Sequence, residues 1–188
     1  MRFLIASDIH GSAKATRQIL YCFEVEKAER LILLGDLLYH GPRNDYPEEY
    51  QTKEVTALLN ACKNPPFCVR GNCDAEVDQM VLNFPMMADY ALLALPKGRT
   101  AFLTHGHLFH QEHLPPHCKG DLLIHGHTHV HGIWPLEDCA YVNPGSAALP
   151  KENQAPTYLL LDDEKLQIKE LYTGKILKTG WYDEIAPL

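Results

Sequence analysis

The run Leu31-Ile32-Leu33-Leu34 constrains this chain more than any other segment, because four consecutive apolar residues stop abruptly at Gly35-Asp36. A short continuous apolar run bounded by turn residues reads as a strand buried on both faces, and such strands belong to parallel sheets covered by helices. The amino terminus repeats the pattern, with Met1-Arg2-Phe3-Leu4-Ile5 breaking at Ser7-Asp8. Between the two runs, Ser12 is placed to cap a helix carrying Ala15, Ile19, Leu20 and Phe23 on one stripe. Strand, helix and strand make a βαβ unit, whose crossover imposes parallel pairing. The unit repeats once: Thr52 opens a helix with Val55, Leu58, Leu59 and Cys62, followed by strand Phe67-Cys68-Val69.

Each of these strands ends in a polar turn: Ser7-Asp8-Ile9-His10, Gly35-Asp36, and Arg70-Gly71-Asn72-Cys73-Asp74. Open α/β sheets place their ligand crevices at the carboxyl ends of parallel strands, so the three turns are expected at one edge. The second half is richer in strands, at Tyr90 to Leu95, Thr100 to Thr104, Leu122 to Ile124, Ala140 to Val142, Tyr158 to Leu161 and Leu166 to Tyr172. These predict a second, more antiparallel sheet, again with histidine turns at Thr104-His105-Gly106-His107 and His125-Gly126-His127-Thr128-His129. No composition shift or repeat divides the chain, so residues 1–188 are expected to form a single domain. The apolar residues between Met80 and Met87 read as core or as a face for a homo-oligomer.

The turns carry metal-ligand chemistry. In extended backbone, residues i and i+2 project to the same side, so Asp8 with His10, and His127 with His129, each make half of a metal site. His125-x-His127 and His129-x-His131 offer the same spacing, and spacing alone leaves the register open. Each motif also has a plainer reading in isolation. Asp8-x-His10 fits a helix entry, Asp36 a solvated turn carboxylate, and Asn72 a side chain closing its own turn.

A net charge of -7 and a pI near 5.8 argue against a sequence-independent grip on nucleic-acid phosphates, which needs clustered Lys and Arg. The first apolar run is far shorter than a signal peptide or a membrane span, which points to a cytoplasmic protein without membrane attachment. Six cysteines without a CxxC pair fit free thiols in a reducing compartment.

Taken in order, Asp8-x-His10, Gly35-Asp36, Gly71-Asn72-x-Asp74, His105 and Gly126-His127-x-His129 resemble the motif series of the calcineurin-like metallophosphoesterases. The likeness covers roughly the first three quarters of the chain. Tyr39-His40-Gly41-Pro42-Arg43-Asn44, Cys73 and Asn143-Pro144-Gly145-Ser146 are most similar to the small bacterial YfcE-type phosphodiesterases. The resemblance implies an α/β fold, a two-sheet sandwich of mixed β-sheets flanked by helices. It also implies two divalent metal ions, with Asp8, His10 and His129 on one, Asn72, His105 and His127 on the other, and Asp36 bridging. Oxygen and nitrogen donors without thiolate suit Mn2+, Fe2+ or Zn2+ rather than Ca2+, and the resemblance favours Mn2+.

The activity so implied is hydrolysis of a small phosphodiester by a metal-bridging hydroxide, with Asp36 and Asn72 in the catalytic centre. Arg43 or Arg70 is placed to hold a phosphate oxygen, and His40 is a further candidate for substrate contact. Where most of the family has a histidine after the asparagine, this chain has Cys73 in the catalytic centre, a poor substitute, which biases the activity towards diesters with good leaving groups or shifts the leaving-group role to His107 or Asp74. No Cys-x5-Arg cradle follows Cys73, so it is not read as a nucleophile. The alternatives are a phosphomonoesterase or nucleotidase with the same dimetal centre, a non-catalytic protein-binding scaffold on this fold, and a metal-storage or metal-sensing protein.

Overall fold

Alternation inside the apolar runs sets the layers of the molecule, for which a computed structural model describes residues 1–188. In β1 (Phe3–Ala6) and β2 (Arg30–Leu33), Leu4, Ala6, Leu31 and Leu33 pack with residues of α1 (Ala13–Val25) and α2 (Thr52–Asn60). Their neighbours Ile5 and Ile32, with Leu34, pack instead against a second sheet through Leu103, Leu122, Ile124 and Val142. This is why both runs are apolar without interruption: each face of the first sheet is buried, one under helices and one inside the sandwich.

The amino-terminal order follows the expected βαβ pattern. Ser12 caps α1, its hydroxyl accepting from the Ala15 amide at 3.1 Å, and Ile19 and Cys22 are buried beneath the helix. β1 and β2 pair in parallel, with Leu4 opposite Leu31 and Ala6 opposite Leu33. β3 (Phe67–Cys68) continues this side, and a short helix, α3 (Glu76–Gln79), follows. α2 ends at Asn60, so Cys62 lies just beyond it.

The later strands divide between the sheets differently from the sequence expectation. β4 (Tyr90–Ala94), β5 (Thr100–Thr104), β6 (Asp121–His125), β7 (Gly132–Pro135) and β8 (Cys139–Asn143) form the second sheet in the order β4-β5-β6-β8-β7. Its centre is parallel, β5 to β6 to β8, so the sheet is mixed rather than mainly antiparallel. β9 (Thr157–Leu161), β10 (Lys165–Glu170) and β11 (Ile176–Trp181) return to the first sheet, where β9 pairs antiparallel with β1. The first sheet is therefore also mixed, in the order β11-β10-β9-β1-β2-β3.

β7 and β11 escape sequence reading because both are edge strands. β7 begins with Gly132 and ends in Pro135, residues tolerated at an edge and rare inside a sheet. β11 is largely exposed and lacks an apolar alternation, and it runs into the short helix α4 (Tyr182–Ile185). Between Met80 and Met87, Leu82, Phe84 and Met86 are buried in the core, whereas Met80 and Val81 are exposed. All six cysteines are free thiols. No helix is long and apolar enough to cross a membrane.

Candidate metal centre

Parallel strands from both sheets deliver their carboxyl-terminal turns to one place. The Ser7–Gly11 turn follows β1, Gly35-Asp36 follows β2, and the 70–74 turn follows β3. From the second sheet come the turns after β5 (His105), β6 (Gly126–His129) and β8 (Pro144–Ser146). The two sets interlock closely. A Cβ on Gly71 would lie 2.1 Å from Asp36 Oδ1, and one on Gly126 would lie 1.9 Å from Ser7 Oγ, so both positions require glycine.

Asp8, His10, Asp36, His127 and His129 all have positive φ, between 48° and 66°. Left-handed backbone is uncommon for non-glycine residues and costs about 1–2 kcal/mol each. Lys27, Glu49, Lys97, Glu152 and Asn153 adopt the same backbone on the surface, but the four buried residues that do so, Asp8, His10, Asp36 and His129, all lie here, which points to a shared purpose.

The histidines are held by their outer nitrogens. His10 Nδ1 donates to the Tyr39 carbonyl at 2.8 Å, His105 Nδ1 to Leu34 at 2.7 Å, and His129 Nδ1 to Leu149 at 2.6 Å. A carbonyl only accepts, so each ring in its neutral form leaves Nε2 with a lone pair facing inwards. The inward nitrogens face carboxylates. Asp8 Oδ1 lies 3.3 Å from His129 Nε2, 3.7 Å from His10 Nε2 and 4.0 Å from His105 Nε2. Asp36 Oδ2 lies 3.4 Å from His105 Nε2 and 3.7 Å from His10 Nε2. Asn72 Oδ1 and His127 Nδ1 approach His105 Nε2 at 3.0 and 3.3 Å.

Asp8, His10 and His129 cluster around one point, while Asn72 and His127 each approach His105, which also lies near Asp8 and Asp36, so His127 and His129, paired by i, i+2 spacing in the sequence, face different partners. The donor set fits cations. Nε2 of His10 and of His129 stand 3.3 Å apart with both outer nitrogens committed, and buried Asp8 Oδ1 has no hydrogen-bond partner. Lone pairs at that separation repel unless a proton or a metal ion lies between them. In the protein alone, burial opposes charge on His105, yet Asp36 and Asp8 push it up to about 9. Burial likewise opposes ionisation of Asp8 and Asp36. His10 and His129 nevertheless hold Asp8 well below the usual carboxylate range, and His105 lowers Asp36. Burial and the neighbouring His105 take His127 down to about 4, leaving it a neutral donor.

A supporting layer, largely unread in the sequence, fixes these turns. Asp74 Oδ2 accepts from the amides of Gly71 (2.7 Å) and Asp36 (2.8 Å), and Oδ1 from that of Leu37 (2.9 Å). Both oxygens are thus engaged by backbone amides, and burial raises the Asp74 carboxyl above its ordinary value. Ser146 Oγ donates to the Asp8 carbonyl, and Asn143 Nδ2 donates to the Gly126 carbonyl and the Thr128 hydroxyl. The Asn143-Pro144-Gly145-Ser146 run is the signal that was visible; its partners were not.

The centre opens into a cleft of about 360 Å³ whose outer walls carry Arg43 and Lys151. Lys151 had no sequence signal. Arg70 turns away from the cleft, its guanidinium reaching the Asp74 carbonyl at 3.4 Å and Glu76 at 3.8 Å. The His40 ring packs against Tyr46 at 4.5 Å and Tyr39 at 4.7 Å, within a tyrosine cluster beside the cleft. His107 stands behind His105, ring centres 5.4 Å apart, with a buried, unpartnered Nδ1. His125 is packed against Tyr141, and burial takes it down to about 4. Cys73 lines the cleft, its amide donating to Asp36 Oδ1 at 2.8 Å. In the metal-free protein, burial, reinforced by Asp36, pushes its thiol up to about 12, which does not favour a nucleophilic thiolate, and its Sγ lies within 4.8 Å of ligand atoms of His10 and Asp36.

Residues 1–165 match the calcineurin-like phosphoesterase superfamily domain. Phosphodiesterase YfcE of Escherichia coli strain K12 is 43% identical over 177 residues, which cover 94% of this chain and 96% of that protein. The solved structure of YfcE, described as a phosphoesterase from E. coli, superposes with a TM-score of 0.93 at 41% identity, covering 97% of this chain and all of the other. A zinc complex of Vps29 from Entamoeba histolytica shares the fold at a TM-score of 0.60 and 19% identity, covering 97% of this chain and 99% of that one.

Proposed function

The chain belongs to the calcineurin-like phosphoesterase superfamily, and on that premise we propose that it is a metal-dependent phosphodiesterase acting on a small diester. The observation that carries the reading is the inner face of the centre. Buried Asp8 Oδ1 has no partner and faces three imidazole nitrogens, two of them with Asp36 Oδ2 also in reach. In this proposal Asp8, His10 and His129 would hold one divalent ion and Asn72, His105 and His127 a second, with Asp36 available to both. Mn2+ is the favoured metal, with Zn2+ or Fe2+ as alternatives for the same oxygen and nitrogen donors. Bound ions of this kind lower the pKa of water and offset charge on the transferring phosphoryl group.

The chain's own residues do the rest. The backbone carbonyls of Tyr39, Leu34 and Leu149 fix three imidazoles in the tautomer that presents Nε2, which limits reorganisation during turnover. Neutral Asn72 adds a donor without adding repulsion towards an anionic substrate. Arg43 and Lys151 flank the cleft and supply positive charge to phosphate oxygens in a chain whose net charge is -7. That overall charge favours a small ester over a nucleic-acid polymer, and six free thiols suit a cytoplasmic enzyme.

The test is hydrolysis of bis-p-nitrophenyl phosphate by chelator-stripped protein with Mn2+, Zn2+, Mg2+ or no metal added, alongside Asp36→Asn. Metal-dependent turnover that Asp36→Asn abolishes is the expected result. Wild-type protein that binds two ions and turns nothing over would leave the centre a structural one and move the scaffold reading to first place.

A further inference from the structure

A second cavity adjoins the metal cleft and shares Cys73 with it. It is the larger of the two, about 540 Å³, within the range of small-molecule sites. Its walls are mostly apolar: Leu38, Tyr39 and Tyr50 on one side, Val77 and Val81 on the other, with Cys73 at the junction. We infer that this cavity is a subsite for an apolar, ring-bearing substituent of the phosphodiester, entered past Cys73. The inference rests on the phosphodiesterase reading above and names the class of substrate for it.

Three observations carry it. Cys73 Sγ lies within 4.8 Å of ligand atoms of both His10 and Asp36, so the cavity begins where a phosphate at the centre would begin. Tyr39 belongs to both sites, its carbonyl holding His10 Nδ1 and its side chain walling the cavity. The metal cleft itself offers an apolar substituent almost nothing, since eleven of its twelve lining residues are other than hydrophobic, whereas seven of the eleven around the second cavity are hydrophobic. A diester carries two carbon substituents, and an apolar one gains by leaving water only on the Cys73 side. Val77 and Val81 are 61% and 46% exposed, an apolar surface that a bound ring would cover.

The reading separates cleanly from a surface used by another protein copy. Mn2+-loaded protein is titrated calorimetrically with methylphosphonate and with 1-naphthylphosphonate, which share the phosphate-like head and differ only in the substituent. The naphthyl compound should bind at least about tenfold tighter, the scale that added apolar contact in a pocket gives. Val77→Asp, charging the wall, and Thr56→Trp, at an α2 residue that also lines the cavity and would fill it, should bring that ratio to within about twofold of unity on the same scale. Val77 is exposed, so its substitution does not threaten folding.

Equal binding of the two phosphonates, binding of neither, or a preference that survives both variants would overturn the subsite. So would a concentration-dependent dimer in sedimentation that Val77→Asp dissociates, because the face would then belong to a second copy. Failure of bis-p-nitrophenyl phosphate turnover, with the phosphonate preference intact, would instead count against the catalytic reading alone.

Discussion

Replacing Asp74 by Asn removes one oxygen from a carboxylate that is 3% exposed and bonded to three backbone amides. In the same pose, an Asn oxygen still serves Asp36 and Gly71, but its NH2 group then points at the Leu37 amide. A buried amide left without an acceptor costs about 1–3 kcal/mol. Charge-assisted bonds are roughly twice as strong as neutral ones, so the two surviving bonds weaken by about 0.5–1 kcal/mol each. The total is about 2–5 kcal/mol, which for a domain of this size lowers the thermal midpoint by roughly 4–20 °C.

The same change loosens the amide of Asp36 and with it the proposed bridging carboxylate, so metal affinity should fall about 10–100-fold, as for other residues that orient ligands. Thermal unfolding followed by circular dichroism, paired with metal titration calorimetry on the same samples, checks both. A midpoint within about 2 °C of wild type and unchanged affinity would refute the account, because it would mean the three amides find equal partners without the carboxylate.

Gly126→Ala should cost about 1–3 kcal/mol of stability, and metal affinity should fall with it, since the new methyl lands 1.9 Å from Ser7 Oγ and 2.6 Å from Asp8 Oδ2; urea unfolding and metal titration that match wild type would contradict the packing described. In metal-free protein at pH 8, Cys73 should alkylate with iodoacetamide far more slowly than exposed Cys118, because burial and then Asp36 push its thiol to about 12; peptide mapping by mass spectrometry reads the ratio, and equal labelling would contradict the burial. Glu26 sits among Lys169, Tyr158 and Arg2, and although burial opposes its charge these partners lower its pKa. Its stabilisation is therefore complete above the unfolded-state value of about 4.3 and disappears as pH falls through the lower folded-state value. Glu26→Gln should accordingly be less stable than wild type in urea at neutral pH and indistinguishable at the acid end, and a difference that grew on acidification would reverse the assigned sign.

Much of the fold was legible because it rests on local pattern. The uninterrupted run Leu31–Leu34 announced a strand buried on both faces, and Ser12 before Ala15 and Ile19 announced a capped helix; both signals depend only on near neighbours. The two-sheet sandwich was legible through the order of the motifs rather than through periodicity. Which sheet each later strand joins was not legible, because β9 pairs with β1 across more than 150 residues and nothing local to Tyr158–Leu161 specifies that partner. Edge strands β7 and β11 were silent for a related reason, since an edge buries little and so leaves little apolar pattern.

For the site, the chain by itself determined which chemistry was present: carboxylates and imidazoles at i, i+2 spacing in turns after strands, and glycines at Gly71 and Gly126 where no side chain fits. Tertiary structure decided everything that depends on distance between turns. Only the closing of two sheets against each other brings His129 to within 3.3 Å of Asp8, sets Lys151 beside the cleft, and turns Arg70 towards Glu76 instead. It also gave Asp74 three backbone amides to hold. The physical reason is that local sequence supplies the ligand types, while Asp8, His10, His127 and His129 adopt left-handed turns rather than the extended backbone their spacing suggested; the geometry of a metal centre is set by where separate strands end, and that is settled by burying Ile5, Ile32 and Leu34 against the second sheet.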